Sequence, residues 1–308
     1  MQIKKSQTLG IVLAAGSGTR LHPLTKSISK ALIPIAGIPI IEYSLSALTK
    51  IGIKNFNIVC QKSKDFEYLL NLKKFQNHNI KITSIKKPIG IRKTILLVTK
   101  NKNFKHYLIC HADNVYSSFP KKLLQVSTFA GLTFEKFQKN NINARIQNGK
   151  VIDFLTKPNA TISGVYVFSR EAIMYIKSNN KIFDSWGITS GLQQALVDKN
   201  VIAGLRFTKK VININTLQDL IYANSYVLKN ITKQKNFIDS NSKIDVNAKI
   251  GPNVSIGKNS VINSQTSISN SIIMNDVIVE RGASIKNSVI YNKNIVTQNS
   301  NIINQIII

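Results

Sequence analysis

Apolar and polar segments alternate regularly over the first two thirds of the chain. Short apolar runs bounded by turn residues are typical of buried strands. Such runs are found at Leu9–Ala15, Asn55–Cys60, Ile80–Ile85 and His106–Cys110. The intervening segments predicted to be helical are Tyr43–Lys50, Asp65–Phe75 and Thr94–Thr99. Strands that alternate with helices predict an α/β protein with a doubly wound sheet.

A different pattern begins after about Lys229. Isoleucine recurs at a spacing of six residues, at Ile238, Ile244, Ile250, Ile256, Ile262 and Ile268. After a five-residue step the pattern continues at Ile273, Val279 and Ile285, and after a second such step at Ile290, Val296, Ile302 and Ile308. Six residues is not a helical period, and asparagine is too frequent here for a helix. The repeat therefore predicts a parallel β-helix, in which three six-residue faces complete one coil.

The change of pattern divides the chain into two expected domains, residues 1–229 and residues 230–308. The C-terminal end of the repeat, from Ile302 to Ile308, is unusually apolar. An apolar end of a strand stack needs a cover, because exposed strand edges and apolar patches promote association. We therefore expect a homo-oligomer that forms through the β-helix.

Charge is the outlier of the composition, since 42 Lys and Arg residues against 14 Asp and Glu residues give a net charge of +28. Such a balance can indicate a polyanionic partner, for example nucleic acid or an anionic membrane surface. It can also reflect a compositional bias towards Lys, Asn and Ile. The lysines are dispersed, without a long basic run or an RNA-binding aromatic motif, so we favour the second interpretation and expect no nucleic-acid partner.

Cysteine use and hydropathy bear on the cellular compartment. Cys60 and Cys110 lie in apolar, strand-like segments without metal-ligand spacing, which predicts reduced thiols in a cytoplasmic protein. The apolar run after Lys4 and Lys5 is too short for a secretion signal, and no run has the length of a membrane-spanning helix.

The candidate chemistry begins at the end of the first predicted strand. A flexible turn, Gly16-Ser17-Gly18, leads to Arg20, and Lys30 follows in the same segment. Glycines let backbone N–H groups approach a phosphate closely, and the two side chains supply fixed positive charge. The turn stands at the carboxyl end of a strand, where open α/β sheets bind their ligands. The same holds for the His111-Ala112-Asp113-Asn114 segment after the fourth strand.

The order of these residues resembles the signature of the sugar-1-phosphate nucleotidyltransferases, which make nucleotide sugars. The resemblance implies a Rossmann-like, GT-A-like mixed sheet domain followed by a left-handed β-helix. It also implies that a nucleoside triphosphate and a sugar 1-phosphate are the substrates. Arg20 would contact the phosphates and Lys30 would activate the α-phosphate. The implied substrate-binding residues of this loop are Ala14, Ala15, Gly16, Ser17, Gly18 and Thr19.

The resemblance extends to metal ligands and to the sugar site. Asp113 matches the metal-binding aspartate of the family, which implies Mg²⁺ as cofactor. Asn213 stands where a second metal-binding aspartate is usual, and a neutral amide there should weaken Mg²⁺ binding. Gly90 matches the loop that approaches the base, Lys157 matches the lysine that grips the sugar phosphate, and Gly164 lies in a strand that lines the sugar pocket.

Two functions remain open at this point. The first is an active transferase, with a base and sugar that the sequence does not name; mannose-1-phosphate guanylyltransferases and glucose-1-phosphate thymidylyltransferases are the nearest resemblances. The second is a weak or inactive paralogue that binds a ligand and regulates another enzyme. Asn213, Thr156 in place of a usual glutamate, and bulky Arg92 in the base loop favour the second. An acyltransferase is less consistent, because no histidine follows His111.

Overall fold

A computed structural model describes residues 4–100, 103–126, 128–139, 141–179 and 188–308. The chain forms two compact units, each assembled from separate stretches of sequence. Unit 1 contains Met1–Gly16, Ser44–Ala112 and Tyr116–Val211. Unit 2 contains Ser17–Tyr43, Asp113–Val115 and Ile212–Ile308.

The elements before residue 230 are mixed. The strands are β1 Thr8–Leu13, β2 Pro34–Ile35, β3 Ile38–Pro39, β4 Asn55–Cys60, β5 Asn79–Ser84, β6 His106–His111, β7 Asn114–Tyr116, β8 Ala130–Lys136, β9 Asn143–Gln147, β10 Lys150–Asp153, β11 Ala160–Ser169, β12 Ile202–Arg206 and β13 Val211–Asn213. The α-helices are α1 Leu24–Ser27, α2 Ile40–Lys50, α3 Ile91–Thr99, α4 Arg170–Ser178, α5 Thr189–Val197 and α6 Leu217–Tyr226. Short 3₁₀ segments include Thr19–Leu21, Lys30–Leu32, Ser63–Asn71 and Lys73–Phe75.

Unit 1 is built on one nine-stranded mixed sheet with the order β5-β4-β1-β6-β11-β8-β12-β10-β9. The first four strands in this order are parallel, and β11 pairs with β6 in the antiparallel sense. The core consists of apolar side chains from the sheet and its helices, among them Ile11, Ile95, Ile109 and Phe168. The α/β prediction is confirmed, and the carboxyl ends of the parallel strands lie at one edge of this sheet.

Several predicted elements differ from the structure in their bounds or their type; for example, α3 begins at Ile91 and β5 spans Asn79–Ser84. The first strand ends at Leu13, because the chain leaves the ladder for the glycine-rich turn. The helix predicted from Tyr43 already begins at Ile40. The α-helix predicted over Asp65–Phe75 is wrong: two 3₁₀ segments flank Leu72, whose backbone is extended. A polar stretch that buries only Phe66 and Leu69 in the longer segment gives little packing support to a regular α-helix.

The C-terminal strands of unit 2 form three parallel sheets. The strands are β14 Phe237–Ile238, β15 Lys243–Ile244, β16 Lys249–Ile250, β17 Ser255–Ile256, β18 Val261–Ile262, β19 Ser267–Ser269, β20 Ile272–Ile273, β21 Ile278–Val279, β22 Ser284–Lys286, β23 Val289–Ile290, β24 Ile295–Val296, β25 Asn301–Ile303 and β26 Ile306–Ile307. Every third strand joins the same sheet, in the orders β14-β17-β20-β23-β26, β15-β18-β21-β24 and β16-β19-β22-β25. This arrangement is consistent with a β-helix.

The repeated aliphatic residues occupy equivalent register positions in these sheets. Ile256 pairs with Ile273, which pairs with Ile290. The shorter five-residue steps fall at one corner, between the third sheet and the first, which gives coils of about 17 residues. The last predicted position, Ile308, is wrong: Ile290 pairs with Ile307, because the same short corner recurs after β25.

Corners of the stack place side-chain-bearing residues in the left-handed backbone region. Asparagine accepts that region better than most residues because its amide can bond locally. The corner residues with positive φ include Asn253, Asn259, Asn270, Asn287, Asn299 and Asn304. The high asparagine content of the repeat therefore has a conformational cause.

Residues 17–43 and α6 share a core with the strand stack of unit 2. Leu24, Ile33 and Leu220 pack in the same apolar cluster as Ile272 and Met274. Asn224 of α6, which is 1% exposed, forms hydrogen bonds both with residues 17–43 and with the strand stack. Its amide oxygen accepts from the Ala36 N–H at 2.9 Å and from the Ser255 hydroxyl at 2.7 Å, and its amide nitrogen donates to the Asn253 carbonyl at 2.9 Å. A buried amide with these three bonds is well satisfied.

Both cysteines are free and buried, as their apolar setting predicts. Burial raises the pKa of Cys60 to about 11, with a smaller contribution from Asp65, and burial also raises the pKa of Cys110.

Within the described ranges, no helix combines the length and the apolar character that crossing a membrane requires.

Candidate functional site

The loop that leaves β1 keeps its backbone close to the parallel strands of unit 1. The Ala14 N–H donates to the Val59 carbonyl at 2.7 Å, and the Gln61 side-chain amide donates to the Ala15 carbonyl at 2.9 Å. A Cβ atom added to Gly16 would meet no heavy atom within 4 Å. The predicted substrate-binding residues Ala14, Ala15 and Gly16 therefore lie at the carboxyl edge of the sheet, with open space beside Gly16.

The next residues of the loop, Ser17, Gly18 and Thr19, belong to unit 2. Gly18 has φ +64, and a Cβ atom there would come within 2.9 Å of the Thr25 side chain. The Thr25 hydroxyl donates to the Gly18 carbonyl at 2.8 Å. Glycine is required here by both conformation and space. Gly18 is the N-cap of the 3₁₀ turn Thr19–Leu21, which carries Arg20.

Lys30 is a buried cation. It begins the 3₁₀ turn Lys30–Leu32, and 7% of its surface is exposed. Its Nζ lies 2.8 Å from Oδ2 of Asp113, which follows β6. A buried ammonium group requires a partner of this kind, because its desolvation is costly. The structure thus brings together two residues that the sequence analysis assigned to separate roles.

Asn215, which was not among the predicted site residues, joins the same cluster. Its Oδ1 accepts from Arg20 Nη2 at 2.7 Å and from Lys30 Nζ at 3.1 Å. Its Nδ2 donates to Oδ1 of Asn213 at 3.0 Å. Asn213, the predicted metal ligand, is exposed and contacts the cluster through Asn215. Two asparagines alternate in Asn213-Ile214-Asn215-Thr216, but this local pattern does not specify the long-range contacts of Asn215.

The start of α6 fixes the backbone beside Asn215. Thr216 caps the helix by accepting from the Asp219 N–H, and Oδ2 of Asp219 accepts from the Thr216 N–H at 2.9 Å. The same carboxylate oxygen accepts from the Asn215 N–H at 2.9 Å. This is a capping box, recognisable in sequence as a threonine followed three residues later by an acidic residue. Asp219 therefore acts as a structural residue for the cluster.

The cluster contains few acidic side chains that could serve as metal ligands. Among the residues that the structure describes, no group of three or more His, Cys, Asp or Glu side chains could hold a metal ion. Asp113 supplies a carboxylate, and Asn213 supplies a neutral amide oxygen. Mg²⁺ commonly takes one or two protein carboxylates and completes its shell with water and phosphate oxygens. The donor set therefore fits a magnesium ion that is carried largely by a phosphate ligand.

The loop before α3 combines a required glycine with a buried arginine. Gly90 has φ +81, and its carbonyl accepts from the Thr94 N–H and hydroxyl. Arg92, in the first turn of α3, is 6% exposed, and its Nε lacks a hydrogen-bond partner among the described residues. Both residues belong to unit 1 and follow the parallel strand β5 at its carboxyl end. An unsatisfied buried donor is costly unless a ligand pairs with it.

The predicted sugar-phosphate segment of unit 1 is organised by Asp153, which was not among the predicted site residues. The Asp153 carboxylate accepts from the backbone N–H groups of Leu155 and Thr156 and from the Thr156 hydroxyl. These hydrogen bonds hold the pKa of Asp153 down to about 2. Lys157 follows with φ +42 and is exposed. The Thr156 side chain is therefore part of a turn that presents Lys157.

Gly164 lies within β11, where the register with β8 shifts between Ile162 and Tyr166. It has φ +74, which favours glycine. A register shift of this kind re-aims neighbouring side chains. Four of the predicted residues of unit 1 lie at the carboxyl edge of the sheet: Ala14, Ala15, Gly16 and Gly90. The other two are positioned elsewhere in the chain, Lys157 by the turn at Asp153 and Gly164 by the register shift in β11.

Unit 1 has a mixed α/β sheet, and unit 2 holds a cluster of two basic side chains, Arg20 and Lys30, with Asp113 and Asn215. Residues 9–230 match the family model described as nucleotidyl transferase, and residues 232–308 match the model described as GMPPB C-terminal domain. The first match covers most of the chain, and the chain belongs to the nucleotidyl transferase family.

Individual relatives are distant. The chain is 26% identical over 235 residues to the bifunctional protein GlmU of Methanococcus vannielii, which corresponds to 72% of this chain and 55% of that protein. It is 29% identical over 185 residues to the glucose-1-phosphate thymidylyltransferase of Xanthomonas campestris pv. campestris, which corresponds to 55% of this chain and 63% of the relative. The chain thus spans less than two thirds of the length of these curated relatives.

Proposed function

We propose that the protein transfers a nucleotidyl group from a nucleoside triphosphate to a sugar 1-phosphate. A phosphate oxygen of the sugar forms a bond to the α-phosphorus, the bond between the α-phosphorus and the bridging oxygen breaks, and pyrophosphate leaves. The convergence of Arg20 and Lys30 on one oxygen of Asn215 carries this proposal, because it is an arrangement suited to phosphate oxygens. Family membership and the named thymidylyltransferase relative support it.

The proposed roles follow from the charge that develops during the reaction. Negative charge grows on the phosphoryl oxygens, and fixed cations stabilise it better than mobile water does. Arg20 binds the triphosphate, and Lys30 binds the α-phosphate. The pair with Asp113 orients the Lys30 ammonium group before substrate arrives, so little reorganisation is needed. The backbone from Ala14 to Thr19 offers N–H groups to the nucleotide.

Nucleotidyl transferases of this family generally use divalent metal ions, and we assign Mg²⁺ here. Asp113 and Asn213 would hold it, with phosphate oxygens and water completing the shell. When bound, Mg²⁺ neutralises phosphate charge and strengthens the electrophilic character of the phosphorus. The sugar 1-phosphate side of the reaction is assigned to Lys157, presented by the turn at Asp153, and to Gly164 in the bulged strand.

The architecture proposed to support this activity consists of a nucleotidyltransferase domain, residues 1–229, and a left-handed parallel β-helix, residues 230–308. The left-handed sense of the coil rests on the resemblance to hexapeptide-repeat proteins, and corner residues with positive φ, such as Asn270 and Asn287, support the tight repeated turns. The β-helix serves as a platform for a homo-oligomer. The reduced, buried state of Cys60 and Cys110 supports a cytoplasmic location.

A second candidate function is a regulatory paralogue that binds nucleotide without efficient turnover. One observation favours it: Asn213 and Asn215 are both neutral, which leaves Asp113 as the acidic side chain that contacts Lys30. A metal ion is then held less firmly by the protein.

A pyrophosphate-release panel distinguishes the two candidates. Four nucleoside triphosphates are tested against several sugar 1-phosphates with Mg²⁺, and Lys30→Ala is the control for background release. The transferase proposal expects release with one or more pairs and its loss in Lys30→Ala. Nucleotide binding without release across the panel would overturn the transferase and support the regulatory paralogue.

A further inference from the structure

The side-chain amide of Asn215 stands between two cations. Its Oδ1 accepts from Arg20 Nη2 at 2.7 Å and from Lys30 Nζ at 3.1 Å. Two positive groups repel each other, so they remain this close to one point only where an acceptor lies between them. The amide oxygen is that acceptor, and a phosphate oxygen in its position would receive the same two donors.

The orientation of this amide is determined by its neighbours. Its Nδ2 donates to Oδ1 of Asn213 at 3.0 Å, which turns the oxygen towards the cations. Its backbone N–H donates to the Asp219 carboxylate at 2.9 Å, which anchors the residue to the capped start of α6. Asn213 and Asp219 therefore hold Asn215 through its amide nitrogen and its backbone N–H, which leaves Oδ1 to the two cations.

The neutrality of Asn215 is chemically important. Lys30 already contacts one carboxylate, that of Asp113, so the Arg20, Lys30 and Asp113 charges leave an excess of one positive charge. An amide oxygen accepts hydrogen bonds from both cations without neutralising that excess positive charge. A carboxylate in the same place would bind them more tightly, because charge-assisted hydrogen bonds are stronger, and would compete with an incoming phosphate.

We propose that Asn215 is a positioning residue of the phosphate site, which gathers Arg20 and Lys30 and is replaced by a phosphate oxygen when the anion binds. This inference rests on the proposed function and specifies how the same site receives the triphosphate. Asn213 then has a second role, which is to orient Asn215. The site binds the phosphate group through its own charge before any metal contributes.

The test compares two substitutions that add the same charge two residues apart. Asn215→Asp places the carboxylate against both cations, whereas Asn213→Asp places it against the amide nitrogen of Asn215. Pyrophosphate is the probe, and its binding is measured by calorimetry with EDTA present. We expect wild-type protein to bind, Asn215→Asp to bind at least about tenfold more weakly, and Asn213→Asp to lose much less.

A third variant and a kinetic measurement separate positioning from a general structural effect. Asn215→Ala removes the acceptor without adding charge, and we expect pyrophosphate binding to weaken by several-fold, less than in Asn215→Asp. In the pyrophosphate-release assay, Asn215→Asp should raise KM for the triphosphate more than it lowers kcat. Thermal unfolding identifies any variant that fails to fold, and the remaining variants still decide the outcome.

The failures are distinguishable. If wild-type protein binds pyrophosphate and Asn215→Asp binds equally well, or if both aspartate variants weaken equally, the role of Asn215 is wrong while the phosphate site stands. Wild-type binding that occurs only with Mg²⁺ would also overturn the inference. If wild-type protein binds no pyrophosphate with or without Mg²⁺, the phosphate site and the proposed function fail together.

Discussion

The ammonium nitrogen of Lys30 lies 2.8 Å from a carboxylate oxygen of Asp113, although 83 residues separate them in the chain. The lysine side chain is 8% exposed, whereas that of the aspartate is 35% exposed. The pair therefore combines a desolvated cation with an anion that solvent and ligands can still reach. That asymmetry suits a site in which the lysine is held in position and the carboxylate can also contact a metal ion.

Asp113→Asn tests this pair with almost no change of shape. The amide can still accept from Lys30, but the buried cation loses its counter-charge. We expect the free energy of unfolding to fall by about 1–3 kcal/mol and pyrophosphate release to fall by about 100-fold or more. Urea unfolding and the release assay measure the two effects. Activity within about twofold of the wild type would contradict the assignment.

Asn213→Asp tests the proposed second metal ligand. A carboxylate at this exposed position adds negative charge next to Asn215 and should raise the affinity for Mg²⁺ by several-fold. A Mg²⁺ titration of pyrophosphate release gives the half-saturating concentration, which is expected to decrease. An unchanged concentration would mean that this position does not contribute to metal binding.

Arg92→Met tests whether the buried arginine is retained for a ligand. Methionine fills a similar volume without leaving a buried donor unsatisfied, so the ligand-free protein should become more stable by about 1 kcal/mol. Binding of a nucleoside triphosphate should weaken at the same time. Lys93→Met is the matched control, because Lys93 is an exposed neighbour in the same turn. Destabilisation by Arg92→Met would indicate a structural role instead.

Gly37→Ala tests packing within unit 2. Gly37 has φ +74 in the turn between β2 and β3, and an added Cβ would lie 2.2 Å from the Phe237 ring. We expect the free energy of unfolding to fall by about 1–3 kcal/mol. Gly16→Ala is the control, since no heavy atom lies within 4 Å of its added Cβ. Equal unfolding temperatures for the two variants would contradict the packing described.

Asp153 gives a pH dependence with a defined sign. The pKa of Asp153 in the folded protein is lowered to about 2, mainly by the Thr156 hydroxyl and by backbone N–H groups. The pKa of an aspartate in the unfolded chain is about 3.9. The ionised carboxylate therefore stabilises the fold above the unfolded pKa, and this contribution is lost as pH falls towards 2. Unfolding temperatures measured over this range should fall less steeply in Asp153→Asn than in the wild type. Parallel curves would contradict the turn geometry.

Periodic features of the sequence predicted most of the framework. The buried strands β1, β4 and β6 were evident as apolar runs, and the six-residue repeat placed Ile256 and Ile262 correctly in successive sheets. Periodicity is a local property, so it needs no knowledge of distant contacts. It failed where local signals were weak, as at the 3₁₀ segments near Leu72, and where a corner shortened, as before Ile307.

The candidate site was only partly predictable, for a related reason. Arg20, Lys30 and Asp113 were identified from short motifs. The role of Asn215 depends on hydrogen bonds to residues 195 and 185 positions earlier in the chain, and no local pattern specifies such contacts. Asp153 was missed because the three hydrogen bonds that its carboxylate accepts are formed within a turn. The sequence of that turn, Asp153 to Thr156, carries no distinctive signal.

The most direct test of nucleotidyl transfer follows the phosphate oxygens. A sugar 1-phosphate labelled with ¹⁸O in its phosphate group is incubated with the nucleoside triphosphate that supports release, and the products are analysed by mass spectrometry. Attack on the α-phosphorus predicts that the nucleotide sugar retains the full label and that pyrophosphate carries none. Label in the released pyrophosphate, or release of pyrophosphate without formation of any nucleotide sugar, would contradict the account.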